Sequence, residues 1–87
     1  MSYLKEELNK LIAEPNEPSK YIKLEDLRES LTKLWCIEQP NIEEHSQVYQ
    51  DFGYMLFKIC IDNISFDELR EESYGEYLDW LLVKFNN

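Results

Sequence analysis

A chain of 87 residues with 44% hydrophobic and 14% aromatic side chains holds enough apolar material for one core, and is too rich in it for a disordered tail despite 31% charge. Acidic residues outnumber basic ones 18 to 9, a net charge of −9. That balance argues against nucleic acid or an anionic membrane surface as partner, since both recruit Lys and Arg, and it suits a basic protein instead.

The first helix is expected from Ser2, a possible N-cap, to about Glu14. Leu4, Leu8, Leu11 and Ile12 recur at helical spacing. The stretch EPNEPS, 14–19, should end it, because two prolines within four positions cannot continue a helix. A second helix is expected from about Tyr21 to Cys36, with Leu24, Leu27, Leu31, Leu34 and Trp35 on one face. Pro40 closes it. A third begins at NIEE, where Asn41 and Glu44 have capping-box spacing, and carries Val48, Phe52, Met55, Leu56, Ile59 and Cys60. Its second half, GYMLFKICI, is apolar nearly all round, which predicts a central position. Ser65–Glu68 offers a second capping box for a fourth helix. Ser73–Glu76 offers a third, with Gly75 inside it, so the helix is expected to bend or restart there. Tyr77, Leu78, Leu81, Leu82 and Phe85 form the last apolar stripe. No stretch alternates with period two for long and no Asn-Gly or Asp-Gly hairpin occurs. The expected architecture is all-α: a single domain, 1–87, forming a small bundle of four or five helices with short loops.

Catalytic and metal-binding patterns are missing from the sequence. His45, the one histidine, has only neighbouring carboxylates and reads as solvated. Cys36 and Cys60 lie in apolar surroundings without a CxxC or a paired His, so they read as reduced, buried thiols. The segment 62–72 lacks the Asp-x-Asp-x-Asn/Asp-Gly core of a calcium loop. A di-iron bundle would need two Glu-x-x-His motifs. Neither enzyme, cofactor nor metal is expected. No segment approaches the roughly 20 apolar residues of a membrane span, and the N-terminal stretch has no signal-peptide run; a cytoplasmic protein is the expectation.

Charge is unevenly placed. Residues 1–40 carry eight acids and six bases, residues 41–61 three and one, and residues 62–87 seven and two. Asp67–Glu71, Glu68–Glu72 and Glu72–Glu76 are like-charge pairs at i,i+4, which cost a helix stability. Tyr74 and Tyr77 sit among these acids. Tyr offers an interface a rigid apolar plate with a polar tip, although at helical spacing with Leu78 and Leu81 at least one of the two is expected in the core. The expected partner-facing set is Asp62, Asp67, Glu68, Glu71, Glu72, Tyr74, Glu76, Tyr77 and Asp79. Such a surface fits a basic protein cleft, whose Arg and Lys it would pair.

In length, acidity and helical pattern, and in the segment GYMLFKICIDNISFDELREESYGEYLDWLLVKF, the chain resembles the small immunity proteins that neutralise bacterial nuclease toxins, above all the colicin D immunity type and the immunity proteins of contact-dependent growth inhibition. The carrying features are the Leu56–Phe57 pair on a helix, the Asp-containing loop after it, and a last helix closing on LLVKF. The resemblance implies a four-helix fold and tight binding to a cognate tRNA-cleaving toxin domain, with acidic side chains covering its basic cleft. Only the region 62–79 matches in character, so no contact residue carries over individually. Two other expectations stand beside it. A DNA-mimicking phage or plasmid inhibitor of a restriction or CRISPR nuclease would spread its carboxylates along an elongated face. A regulatory or scaffold subunit would expose an apolar stripe including Trp35 or Trp80.

Overall fold

The computed structural model of the protein describes residues 4–39 and 45–85. They form helices α1 (Leu4–Ala13), α2 (Pro18–Glu38), α3 (His45–Cys60), α4 (Phe66–Arg70) and α5 (Gly75–Phe85), with no strand among the described residues. The all-α bundle is therefore present, in its five-helix form. Ser2 and the Asn41–Glu44 capping box fall outside the described residues.

α1 buries Leu8 and Leu11 and stops at Ala13, where the proline-rich stretch begins. The second proline of that stretch does not merely end a helix. Pro18 opens α2, at a position whose N–H would lack an intrahelical partner anyway and where its fixed φ is already helical. α2 thus starts three residues before the expected Tyr21 and runs two beyond Cys36.

The early start places Lys20 in the first turn of α2, where it is 1% exposed. Its ammonium donates to the Cys60 carbonyl at 2.7 Å, the Glu14 carbonyl at 3.0 Å and Asn16 Oδ1 at 2.9 Å. Those carbonyls stand at the C-terminal end of α3 and just past the end of α1, where peptide oxygens lack helical donors and the helix dipole is negative. One buried cation therefore ties three helices together.

α3 buries its whole predicted stripe: Val48, Phe52, Met55, Leu56, Ile59 and Cys60. It packs against α2 and α1. It is central, but not covered all round as its composition suggested: Tyr54 is 59% exposed and Phe57 43%. Asn63 ends this region in the left-handed conformation (φ 57°), which lets the Ile64 N–H reach back to the Lys58 carbonyl at 2.9 Å.

Ser65 caps α4 as expected, its Oγ accepting from the Glu68 N–H at 3.2 Å, and Leu69 is fully buried. The Ser73–Glu76 box does not form. Residues 71–74 make a turn and Gly75 is the first residue of α5, so Ser73 stands one position outside the N-cap. A Cβ on Gly75 would approach the Arg70 carbonyl to 3.3 Å, so its lack of a side chain lets α5 start close beneath the end of α4. Four rings then bind α5 to the body: Tyr77 lies 4.8 Å from both Trp35 and Phe52, and Trp80 lies 5.1 Å from Trp35. At the end of α2, Glu38 takes an ion pair from Lys84 at 2.6 Å.

Candidate protein-binding surfaces

The acidic segment wraps one corner of the bundle. Asp62 follows α3, Asp67 and Glu68 lie in the first turn of α4, Glu71 and Glu72 in the turn after it, and Glu76 and Asp79 on α5. All seven carboxylates are exposed. Asp67, Glu68 and Glu76 lie in first turns, where the helix dipole favours a negative charge. The like-charge spacings do not all fall within one helix, because α4 ends at Arg70. Glu68–Glu72 and Glu72–Glu76 are not pairs within a helix; only Asp67 and Glu71 share α4 and its C-cap. Folding also supplies counter-charges. Lys58 of α3 reaches Glu72 at 3.6 Å, and Arg70 reaches Asp79 at 3.2 Å. Exposed pairs of this kind contribute about 0–1 kcal/mol. Asp62, Asp67, Glu68, Glu71 and Glu76 form no ion pair among the described residues.

The two tyrosines are not free plates above this charge. The Tyr77 ring belongs to the aromatic cluster, and its hydroxyl donates to Asp51 Oδ2 at 2.7 Å. Burial, then that hydrogen bond, push the Tyr77 hydroxyl well above the usual phenol range. Tyr74 is half-buried against the core, and burial raises its hydroxyl too, with nearby Lys58 opposing. Both rings are thus partly committed to the body, Tyr77 through the aromatic cluster and Asp51, Tyr74 against the core.

A second surface escaped the sequence reading. Tyr21 and Leu24 of α2 face Tyr54, Leu56 and Phe57 of α3 across a groove of about 410 Å³. Arg28 closes one end. Its Nε donates to the Tyr49 carbonyl at 2.7 Å, its Nη1 to Glu25 Oε1 at 3.1 Å, and its guanidinium stacks 3.8 Å from the Tyr49 ring centre. The Tyr49 hydroxyl donates to the same Glu25 carboxylate, which raises its pKa. Gly53 makes the arrangement possible, because a Cβ there would fall 2.5 Å from the Arg28 guanidinium. A helix apolar all round is either enclosed or presents a face, and that ambiguity in GYMLFKICI was the available signal.

His45 is exposed, and the thiols of Cys36 and Cys60 are free. Burial raises the Cys60 thiol to about 11. Among the described residues no three His, Cys, Asp or Glu side chains cluster as metal ligands, and no helix is long and apolar enough to cross a membrane. Compared with protein-family models, with curated proteins and with solved structures, the chain matches none.

Proposed function

We propose that the protein is a binding inhibitor that covers the basic active site of a cognate nuclease toxin, with the corner formed by α4, the 71–74 turn and the start of α5 as the covering surface. The observation that carries this reading is the exposure of all seven carboxylates of 62–79 on one short stretch, five of them without an ion pair among the described residues. A basic cleft would supply those charges, and attraction at a distance would speed encounter. The resemblance of residues 53–85 to toxin-immunity proteins supports the same conclusion. The alternatives have less behind them. A DNA mimic calls for carboxylates along an elongated face, whereas these wrap a corner of a molecule measuring 38 × 27 × 25 Å. The scaffold reading asked for an exposed Trp35 or Trp80, and Trp35 is buried while Trp80 is half-buried.

The test is co-expression with a panel of basic nuclease toxin domains of the colicin D and contact-dependent growth-inhibition types. The wild-type chain should restore growth against one of them and bind that purified domain with an affinity that falls as salt rises. Replacing Asp67, Glu68, Glu71 and Glu76 by Lys should abolish rescue while leaving the helical circular dichroism intact. Rescue by that variant, or an affinity indifferent to salt, would overturn the proposal.

A further inference from the structure

Among the candidates outside the acidic corner, Lys20 is fully engaged in the core, and the Cys60 thiol is buried. The aromatic groove between α2 and α3 is different. Tyr21, Tyr54 and Phe57 are 43%, 59% and 43% exposed, and they line one concavity rather than being scattered. Exposed apolar side chains that share a concavity mark an interaction site more often than isolated ones do. The groove also adjoins the acidic corner. Lys58 follows Phe57 directly and lies one helical turn beyond Tyr54, and its ion pair with Glu72 brings the 71–74 turn against this end of α3. Glu25 stands at the groove's other end, held by Arg28 and Tyr49.

We infer that this groove is the apolar anchor site for the same basic protein partner: it takes an apolar side chain from a cationic segment whose Lys or Arg residues lie against the carboxylates of the adjacent corner. The choice of occupant follows from charge. A second copy of the chain would bring another net charge of −9 to the surface, and an acidic peptide would meet the same repulsion. A cationic segment gains from both features, with the groove supplying the desolvated contact area in which binding energy concentrates and the corner supplying steering. The inference rests on the acidic-corner reading for the partner's charge, but it assigns the anchor to Tyr21, Tyr54 and Phe57 instead of Tyr74 and Tyr77.

The probe is a synthetic amphipathic Leu/Lys helical peptide, compared with a Leu/Glu peptide and with a Ser/Lys peptide that has charge but no apolar face. Binding is followed by fluorescence anisotropy and by amide chemical-shift mapping on the full chain. The Leu/Lys peptide should perturb amides around Tyr21, Tyr54 and Phe57 together with those of Glu71 and Glu72. The doubly substituted Tyr54→Ser, Phe57→Ser chain should keep its fold, since both side chains are exposed, and bind this peptide at least about tenfold more weakly. The Ser/Lys peptide should reach only the acidic corner. Perturbations confined to 62–79, with affinity unchanged in the double variant, would overturn the groove inference and leave the acidic corner standing. Groove binding that survives Lys replacement of Asp67, Glu68, Glu71 and Glu76 would instead count against the acidic corner. Equal binding of the Leu/Glu peptide, or a dimer in sedimentation that the double variant dissolves, would overturn the proposed occupant.

Discussion

At the scale of single residues, two cations organise this protein in ways that counting charges does not reveal. Lys20 is buried, and its partners are carbonyl oxygens and an amide rather than carboxylates. Replacing it by Met keeps the length of the side chain but leaves two carbonyls and Asn16 Oδ1 without their donor. The Cys60 carbonyl is the buried acceptor of the three, Asn16 being exposed, and an orphaned buried acceptor costs about 1–3 kcal/mol, so Lys20→Met should destabilise by about that much in urea unfolding. A loss below about 1 kcal/mol would mean that water replaces the ammonium easily. Arg28 gives a subtler case. Gly53 lies inside α3, where Ala would ordinarily gain about 1 kcal/mol in helix propensity. Here the added methyl displaces the guanidinium from the Tyr49 carbonyl and ring. Gly53→Ala alone should therefore yield no net gain. In an Arg28→Ala background the same change should stabilise by about 1 kcal/mol. A double-mutant cycle by chemical denaturation measures this, and strict additivity would show that Gly53 has nothing to do with Arg28.

At the scale of elements, what was legible in the sequence was whatever depends on periodicity and local capping. The stripe of α3 is buried residue for residue, and the Ser65 cap forms with the predicted donor. Because Ser65 closes a helix of only five residues, its cap is a large share of what holds that turn. Ser65→Ala should cost about 1 kcal/mol overall, with faster amide exchange in 66–70; unchanged exchange there would mean that Leu69 burial alone fixes α4. The misreadings share one origin. Pro18 and Ser73 carry local signals with two meanings, and the tertiary environment chose between them. Proline after a helix can be a stop or the first residue of the next helix. A Ser–x–x–Glu spacing caps only where the chain enters a helix, and the entry at Gly75 is set by the close approach to the Arg70 carbonyl. The candidate site divides in the same way. Exposure of the seven acids followed from their polarity. The ion pairs to Lys58 and Arg70, the core position of Tyr77 and the groove under Tyr54 and Phe57 depend on which elements meet, and no local pattern encodes that.

At the scale of the whole molecule, the balance of titrating groups sets the pH range of stability. An acidic protein is commonly expected to fail first in acid, through carboxylates held in ion pairs. Lys84, through its hydrogen bond, holds Glu38 below the usual value of 4.5. Its contribution is present above that value and fades as pH falls, and it is small because the pair is at the surface. Protonating other carboxylates meanwhile relieves the repulsion built into a net charge of −9. The alkaline side is different. The Cys60 thiol is raised by burial from 9.0 to about 11, and Tyr74 and Tyr77 are raised above 10.0, again with burial as the leading cause. Groups raised on folding contribute stability in full below their unfolded values. As pH climbs past those values the unfolded chain releases protons that the folded chain must keep, and stability falls. For Cys60 the window runs from 9.0 to about 11, a difference of roughly 2–3 kcal/mol across it. The urea midpoint should therefore stay nearly level from about pH 5 to about pH 9 and then drop steeply. Cys60→Ala should start from a lower midpoint, because it opens a small cavity, but decline more gently above that point. A midpoint that holds level through the alkaline window, or a Cys60→Ala slope as steep as the wild type's, would show that the buried thiol and phenols do not govern it.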